Sequence, residues 1–438
     1  MTMRFLIMTM NLADKRIGII INLYYPIIGG TQVHTKQLTE GLRRIGVHTS
    51  IITRKIQGYS KKDVVGGCDV YRILDYWDVS KHPCSKIYRA FKKGLWAAGS
   101  APSYECRFDQ GTPKGLREKR FIDWIVEAYS LTGIAIPLAT HSILHHYDLL
   151  QFQLLSTFEM LPAFPYWLRR KKKILRLGSL KDFADIEEDK RMNRFRETVV
   201  KEFDKVVCIS LAIREKLLRI GVPPDKLEEI PNGVDTDKFR PVEGENKRQL
   251  KHKLGFDGKR LVIFVARQVT IKGIELILEA ILFAREKVPN IHYVHVGDAG
   301  EATPFLQKYV KENVLEDHVT FVGEKGDVLP YLQCADIYVS SSHSEGLSNA
   351  MLEALASALP LVVTDTSGSD EVVKPERNGY ILRQRDARTF GDCLVDLLSD
   401  EDKRRCFAEA SRVIAVRHFS FKEMLRRYVL MYSEVLGV

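Results

Sequence analysis

Short runs almost free of polar residues constrain this 438-residue chain most. Ile17-Gly18-Ile19-Ile20-Ile21, Val206-Val207-Cys208-Ile209, Leu261-Val262-Ile263-Phe264-Val265-Ala266 and Leu361-Val362-Val363 are apolar throughout. Such runs mark parallel strands covered on both faces, not strands with one wet side. Helix-like stretches lie between them: 33–45, ended by Gly46; 210–219, which Ser210 can cap; and 273–287. Near the N-terminus the order is strand, loop with Pro26 and Gly29-Gly30, helix, and a second strand at 48–53. That is a βαβ opening with a glycine turn at the strand's carboxyl end, where open α/β sheets bind ligands.

The length suits two such units with ample cores. The segment 230–241 lies between them and carries Asn232-Gly233 as a turn; its role as their connector is implied by the family resemblance given below. Asp235-Thr236-Asp237 has the form of a metal-binding D-x-D, but its place in the connector favours coincidence. The charged, helix-prone stretch 243–259 reads as a hinge. Further strands are expected at 148–152, 173–178, 291–296, 319–322, 336–339 and 378–382. The chain then closes on helices at 387–399, 403–418 and 421–436. Residues 75–148 are the least legible. Tyr76, Trp77, Tyr88, Arg89, Phe91, Lys92, Lys93 and Trp96 interleave aromatic and basic side chains there, and 121–129 looks helical. Such interleaving suits a membrane surface or ordinary helix packing equally.

Lysine and arginine exceed aspartate and glutamate to give a net charge of +10, which favours an anionic partner. The bases form no recognised nucleic-acid motif, so no nucleic acid is expected. Seven cysteines without a C-x-x-C point to a reducing compartment and no structural zinc. The longest apolar stretch, 131–144, carries Pro137 and His141 and is short for a bilayer span. Residues 4–12 resemble the start of a signal, but Asp14, Lys15 and Arg16 follow without a small-residue cleavage site. A short leader and a cytoplasmic location are the expectation.

The chemistry concentrates in 341–360, SSHSEGLSNAMLEALASALP. Gly346 breaks the chain after a buried strand, and Ser348 or Asn349 can cap a helix. Glu345 lies in the loop before that helix and Glu353 lies within it. The first amides, at Leu347, Ser348 and Asn349, would form an anion site. A phosphate there, with two carboxylates accepting from hydroxyls, describes a sugar nucleotide. Arg267 ends the strand 261–266, and Lys272 and Gly273 precede the next helix. Arg offers a planar fork to phosphate oxygens and Lys a mobile point charge.

This stretch resembles the retaining glycosyltransferases of the GT-B fold, family 4-like, also called group 1 glycosyl transferases. Their signature S-x-x-E-G-x-x-x-x-x-L-E-A is filled by Ser342, Glu345, Gly346, Leu352, Glu353 and Ala354. The resemblance implies two Rossmann-like domains with an interdomain cleft, at 16–235 and 236–419, and a last helix at 420–438 that crosses back onto the first. It implies that Glu345 contacts the donor sugar, that Glu353 meets the ribose hydroxyls, and that Arg267 and Lys272 neutralise the diphosphate. Gly29 and Gly30 would match the family's Gly-Gly loop, and Gly323 its base-reading loop. No cofactor and no metal are implied. The activity implied is transfer of a hexose-type sugar, from a UDP or GDP sugar, to a glycan or lipid-linked acceptor. The positive charge would then suit an anionic membrane face.

Many members carry a His after the strand at 173–178, where this chain has Gly178 and Ser179. His141, His145 and His146 lie nearby in sequence without an assigned role. The alternatives are a sugar-nucleotide 2-epimerase of the same fold, a phosphorylase, an inactive GT-B binding scaffold, and a nucleic-acid-binding module.

Overall fold

The computed structural model describes residues 10–26, 29–74, 141, 144–153, 171–178 and 197–438. The aromatic-basic stretch at 76–96, the expected helix at 121–129 and Ser179 lie outside the described residues. The chain forms two α/β sheets.

The first contains β1 (Arg16–Ile20), helix α1 (Gly30–Arg44), β2 (His48–Arg54), β3 (Lys62–Val65), β4 (Cys68–Leu74), β5 (Leu149–Phe152), β6 (Lys172–Leu177), β7 (Lys205–Cys208), α2 (Leu211–Arg219) and β8 (Leu227–Glu229). Its strand order is β3-β4-β2-β1-β5-β6-β7-β8. Every pairing is parallel except the β3–β4 hairpin. Strands β1, β5, β6 and β7 are buried almost end to end, as their apolar runs require. Ser210 caps α2 by accepting from the Ile213 amide.

The second contains α3 (Gly244–Lys253), β9 (Arg260–Val265), α4 (Ile274–Lys287), β10 (Ile291–Val296), α5 (Thr303–Glu312), β11 (Val319–Gly323), α6 (Leu329–Cys334), β12 (Ile337–Ser340), α7 (Asn349–Ala356), β13 (Leu361–Thr364), α8 (Ser369–Val372), β14 (Gly379–Leu382), α9 (Ala387–Ser399) and α10 (Glu401–His418). The order β11-β10-β9-β12-β13-β14 is parallel throughout. The chain leaves β9 in one direction to β10 and β11, then returns to β12 on its other side. The crevice between the carboxyl ends of β9 and β12 is therefore the switch point where such sheets hold ligands.

Helix α11 (Phe421–Leu436) ends the chain and belongs to the core of the first sheet. Met424, Tyr428, Val429 and Tyr432 pack with Ile17, Ile19, Leu149 and Ile174. The Tyr428 hydroxyl lies 3.2 Å from Nε2 of His34 on α1, and Tyr432 bonds the buried Gln151 of β5.

One expectation needs correction. The charged stretch 243–259 is no hinge. Its helix α3 packs against α6, because Lys247 and Lys251 reach the buried Asp336 at 2.9 and 2.8 Å. The hairpin β3–β4, strand β8 and helix α5 were not expected from the pattern. Among the described residues no helix is long and apolar enough to cross a membrane.

Candidate functional site

Lys272 and Glu345 meet at the β9–β12 crevice. Lys272 ends a single 3-10 turn at 270–272, and Gly273 follows in the left-handed conformation, φ 57°. A Cβ there would come 2.5 Å from the Ser341 carbonyl, so the glycine lets the two loops close on each other. Two bonds then join them, and a third, from Arg385, holds the second loop. The Ser341 hydroxyl donates to the Lys272 carbonyl at 2.9 Å, the His343 amide to the Ile271 carbonyl at 2.9 Å, and Arg385 to the Ser341 carbonyl at 2.6 Å. In this frame the Lys272 ammonium sits 2.8 and 2.6 Å from the two Glu345 oxygens. The Ser342 hydroxyl donates to Glu345 at 2.8 Å, and the Ser367 hydroxyl to its carbonyl.

Helix α7 begins four residues later. Ser348 is its cap, accepting from the Met351 amide, so the choice between Ser348 and Asn349 falls to serine. Among the described residues the amides of Leu347, Ser348 and Asn349 donate to no backbone carbonyl, which leaves them available to an anion. Glu353 lies one turn inside α7. Burial pushes its carboxyl up to about 7, against the pull of Lys238. Beneath both carboxylates lies the buried Tyr338 phenol. Burial, then the charges of Glu345 and Glu353, push its pKa well up. Arg267 stands exposed at the end of β9, and among the described residues no hydrogen bond holds its guanidinium. Gly323 ends β11 with φ 78° and accepts from the Gly297 amide at 3.0 Å, outside the Lys272–Glu345 cluster.

The first sheet closes over this site. Gly29 caps α1 and its carbonyl accepts from Val33, while the Gly30 carbonyl accepts from the Asn349 amide group at 3.4 Å. A Cβ on Gly346 would lie 3.0 Å from the Gly178 carbonyl, so a hydrogen at this position lets the two loops touch. Between them stands Asn232, read from sequence as a plain turn residue. It is buried, donates to the Leu347 carbonyl at 3.2 Å and to Asn349 at 2.9 Å, and accepts from the buried Arg176 of β6. Burial, then the Arg176 charge, holds His34 well below the usual imidazole range. Arg176 carries no local motif, and the Asn232-Gly233 turn does not point to these partners. The sequence signal at Arg176 is a polar residue within an apolar run.

The other histidines and the D-x-D take structural places. His141 is buried against Tyr147 at 3.1 Å, and burial followed by His145 pushes it down to about 4. Asp235 accepts from the amides of Asp237 and Lys238 at 3.0 Å each, and Asp237 pairs with Lys422 at 2.9 Å.

Two family descriptions match the chain, "Glycosyl transferases group 1" over residues 246–413 and "Glycosyltransferase Family 4" over 131–238. Together they take in more than half of it. The chain belongs to the group 1, family 4 glycosyltransferases. The first description encloses Arg267, Lys272, Gly323, Glu345 and Glu353. Among relatives, spore coat protein SA of Bacillus subtilis is 27% identical over 54% of this chain and 67% of its own length. The Escherichia coli UDP-Gal:alpha-D-GlcNAc-diphosphoundecaprenol alpha-1,3-galactosyltransferase is 31% identical over 45% of this chain and 50% of its own length. HepE of Anabaena, solved in complex with UDP, superposes with a TM-score of 0.71 over 96% of this chain and all of that one, at 16% identity. That likeness shows the fold, GT-B.

The contact at Gly346 gives this transferase a direct test. Gly346→Val should hold the Gly178 loop off by about an ångström and cost about 10²-fold in kcat, since misplacement on that scale does so elsewhere. Circular dichroism should stay unchanged. Full activity in the folded variant would show that the two loops need not meet.

Proposed function

We propose that this transferase moves a hexose-type sugar from a nucleoside diphosphate sugar to a glycan or lipid-linked acceptor, with retention at the anomeric carbon. The observation that carries the reading is the Lys272–Glu345 pair set beside open helix amides at the switch point. A diphosphate on the amides of Leu347, Ser348 and Asn349 would draw Lys272 and the unbonded Arg267 to its oxygens. Charge grows on those oxygens as the glycosidic bond breaks, and donors already in place stabilise it. Glu345, held by Ser342, would accept from the sugar hydroxyls, and Glu353 from the ribose. The acceptor would approach from the first sheet, past Gly30 and Gly178. Its hydroxyl would attack from the face the diphosphate leaves, and the leaving phosphate would take its proton.

HepE binds UDP and the Escherichia coli relative acts on a diphosphoundecaprenol-linked sugar, which supports a nucleotide sugar and a lipid-linked acceptor here. Two bases and a helix N-terminus supply the neutralising charge, so the reading needs no divalent ion. Thermal-shift measurements with UDP, GDP, ADP and their sugars, with and without EDTA, test it. The expected result is a clear rise in midpoint with one nucleotide that EDTA leaves unchanged. No rise with any of them, in folded protein, would favour an inactive scaffold. A rise abolished by EDTA would refute the metal-free reading.

A further inference from the structure

A cavity of about 330 Å³ lies in a crease between the two sheets and shares no lining residue with the proposed donor site. Ser210 and Leu211 at the start of α2 form one wall. Glu371 of α8, with Lys374 and Arg377 after it, forms the second. The end of α10, with Arg417 and His418, and Arg427 on α11 form the third.

Charge in this crease is unequally satisfied. Both carboxylates are engaged: Glu371 accepts from the Leu211 amide at 2.7 Å, and Glu229 from Arg214 at 2.8 Å. Arg427 is held by Glu423 and by the Glu229 carbonyl. The Lys374 ammonium donates to a neutral acceptor, the Asp370 carbonyl at 2.7 Å, and its charge acts on the neighbouring Glu371 carboxylate. Among the described residues no side-chain hydrogen bond or ion pair is made by Arg377, Arg417 or His418. Lys374, Arg377 and Arg417, from two separate segments, thus face one cavity with no ion pair of their own among the described residues, and with Arg427 they outnumber its two carboxylates, Glu229 and Glu371. Its volume lies at the small end of ligand sites.

We propose that this crease binds a small phosphate-bearing anion, with Arg377 and Arg417 as its main contacts. A guanidinium presents paired N–H groups to two oxygens of one phosphate, and Lys374 adds a point charge. The site is separate from the donor diphosphate site and does not depend on that reading.

The experiment uses inorganic phosphate as the probe, at constant ionic strength set by chloride. The protein is the full chain carrying Arg267→Ala and Lys272→Ala, which strips the donor site of its two side-chain cations, and any signal left at the α7 amides is separated by the Arg377 and Arg417 changes below. The expected result is a saturable rise in thermal midpoint with phosphate. Adding Arg377→Gln and Arg417→Gln should weaken the apparent affinity at least about tenfold. Both residues are exposed, and among the described residues their side chains make no bond, so the ligand-free midpoint should stay where it was. Each change made singly should weaken binding to a smaller extent, which keeps the test valid if the combined variant folds poorly. No rise beyond that of chloride would overturn the proposal and leave Arg417 as a cation serving the carboxyl end of α10. An equal rise with and without the two arginines would overturn it too.

Discussion

Lys272→Ala should lower kcat by about 10²- to 10³-fold, the range seen when one preorganised charge-stabilising donor is removed. The ammonium is clamped by Glu345 at 2.8 and 2.6 Å, so its position is set before any ligand arrives. Both side chains are about one-fifth exposed, which limits screening by water. Folding should survive, because Glu345 keeps the Ser342 hydroxyl, and the loop frame rests on the backbone carbonyls of 271 and 272, the His343 amide and the Ser341 hydroxyl. Lys272→Arg should not restore the rate, since the bulkier planar guanidinium, paired with both Glu345 oxygens, would not place its charge where the compact ammonium stands. Initial rates against donor concentration, with circular dichroism as the folding control, check this. Full turnover in folded Lys272→Ala would remove Lys272 from the mechanism. Arg267→Ala should cost less, because its guanidinium is exposed and unbonded before the ligand binds.

Asp336→Ala should be the most destabilising single change discussed here, at about 3–5 kcal/mol, the usual cost of removing one partner from a buried ion cluster. Asp336 is 7% exposed at the start of β12. It accepts from Lys247, from Lys251 and from the Leu261 amide, at 2.8 to 2.9 Å. It therefore ties α3, β9 and β12 together at the end of the sheet away from the site. The midpoint should fall by on the order of 10 °C.

The same residue sets an acid limit. Burial alone would push its carboxyl up, but Lys247, Lys251 and the Leu261 amide outweigh it and hold it at about 2, below its ordinary value of 3.8. A carboxylate depressed in the folded state contributes stability that is complete above about pH 4 and fades as pH falls towards 2. Wild-type stability should drop through that window, and Asp336→Asn should flatten the drop. An unchanged acid profile in Asp336→Asn would assign the acid limit to other groups.

The parts legible in the sequence were those with a local cause. Continuous apolar runs announced β1, β7, β9 and β13, because a strand covered on both faces has no room for a polar side chain. Caps announced helix starts: Ser210 for α2 and Ser348 for α7. The hairpin β3–β4 was missed because its outer strand is exposed and carries charge, as in Lys62-Asp63. Strand β8 was missed because it is three residues long and carries Glu228 and Glu229. The stretch 243–259 was misread because its charges look solvated in one dimension, while Lys247 and Lys251 in fact turn inward to a buried carboxylate.

At the site, the sequence by itself determined the alternation of strands and helices, the glycine turns at strand ends, and the loop of Ser342, Glu345 and Gly346 before α7. Each of these depends on neighbours a few residues away. Only the tertiary structure decided that Lys272, 73 residues before Glu345, would clamp it, because that follows from β12 pairing beside β9. The same holds for Arg176, which reaches Asn232 56 residues on, and for Asn232, which reaches Asn349 117 residues on. Strand order and the approach of two sheets arise from summed burial over the whole chain, and no single stretch of residues encodes them.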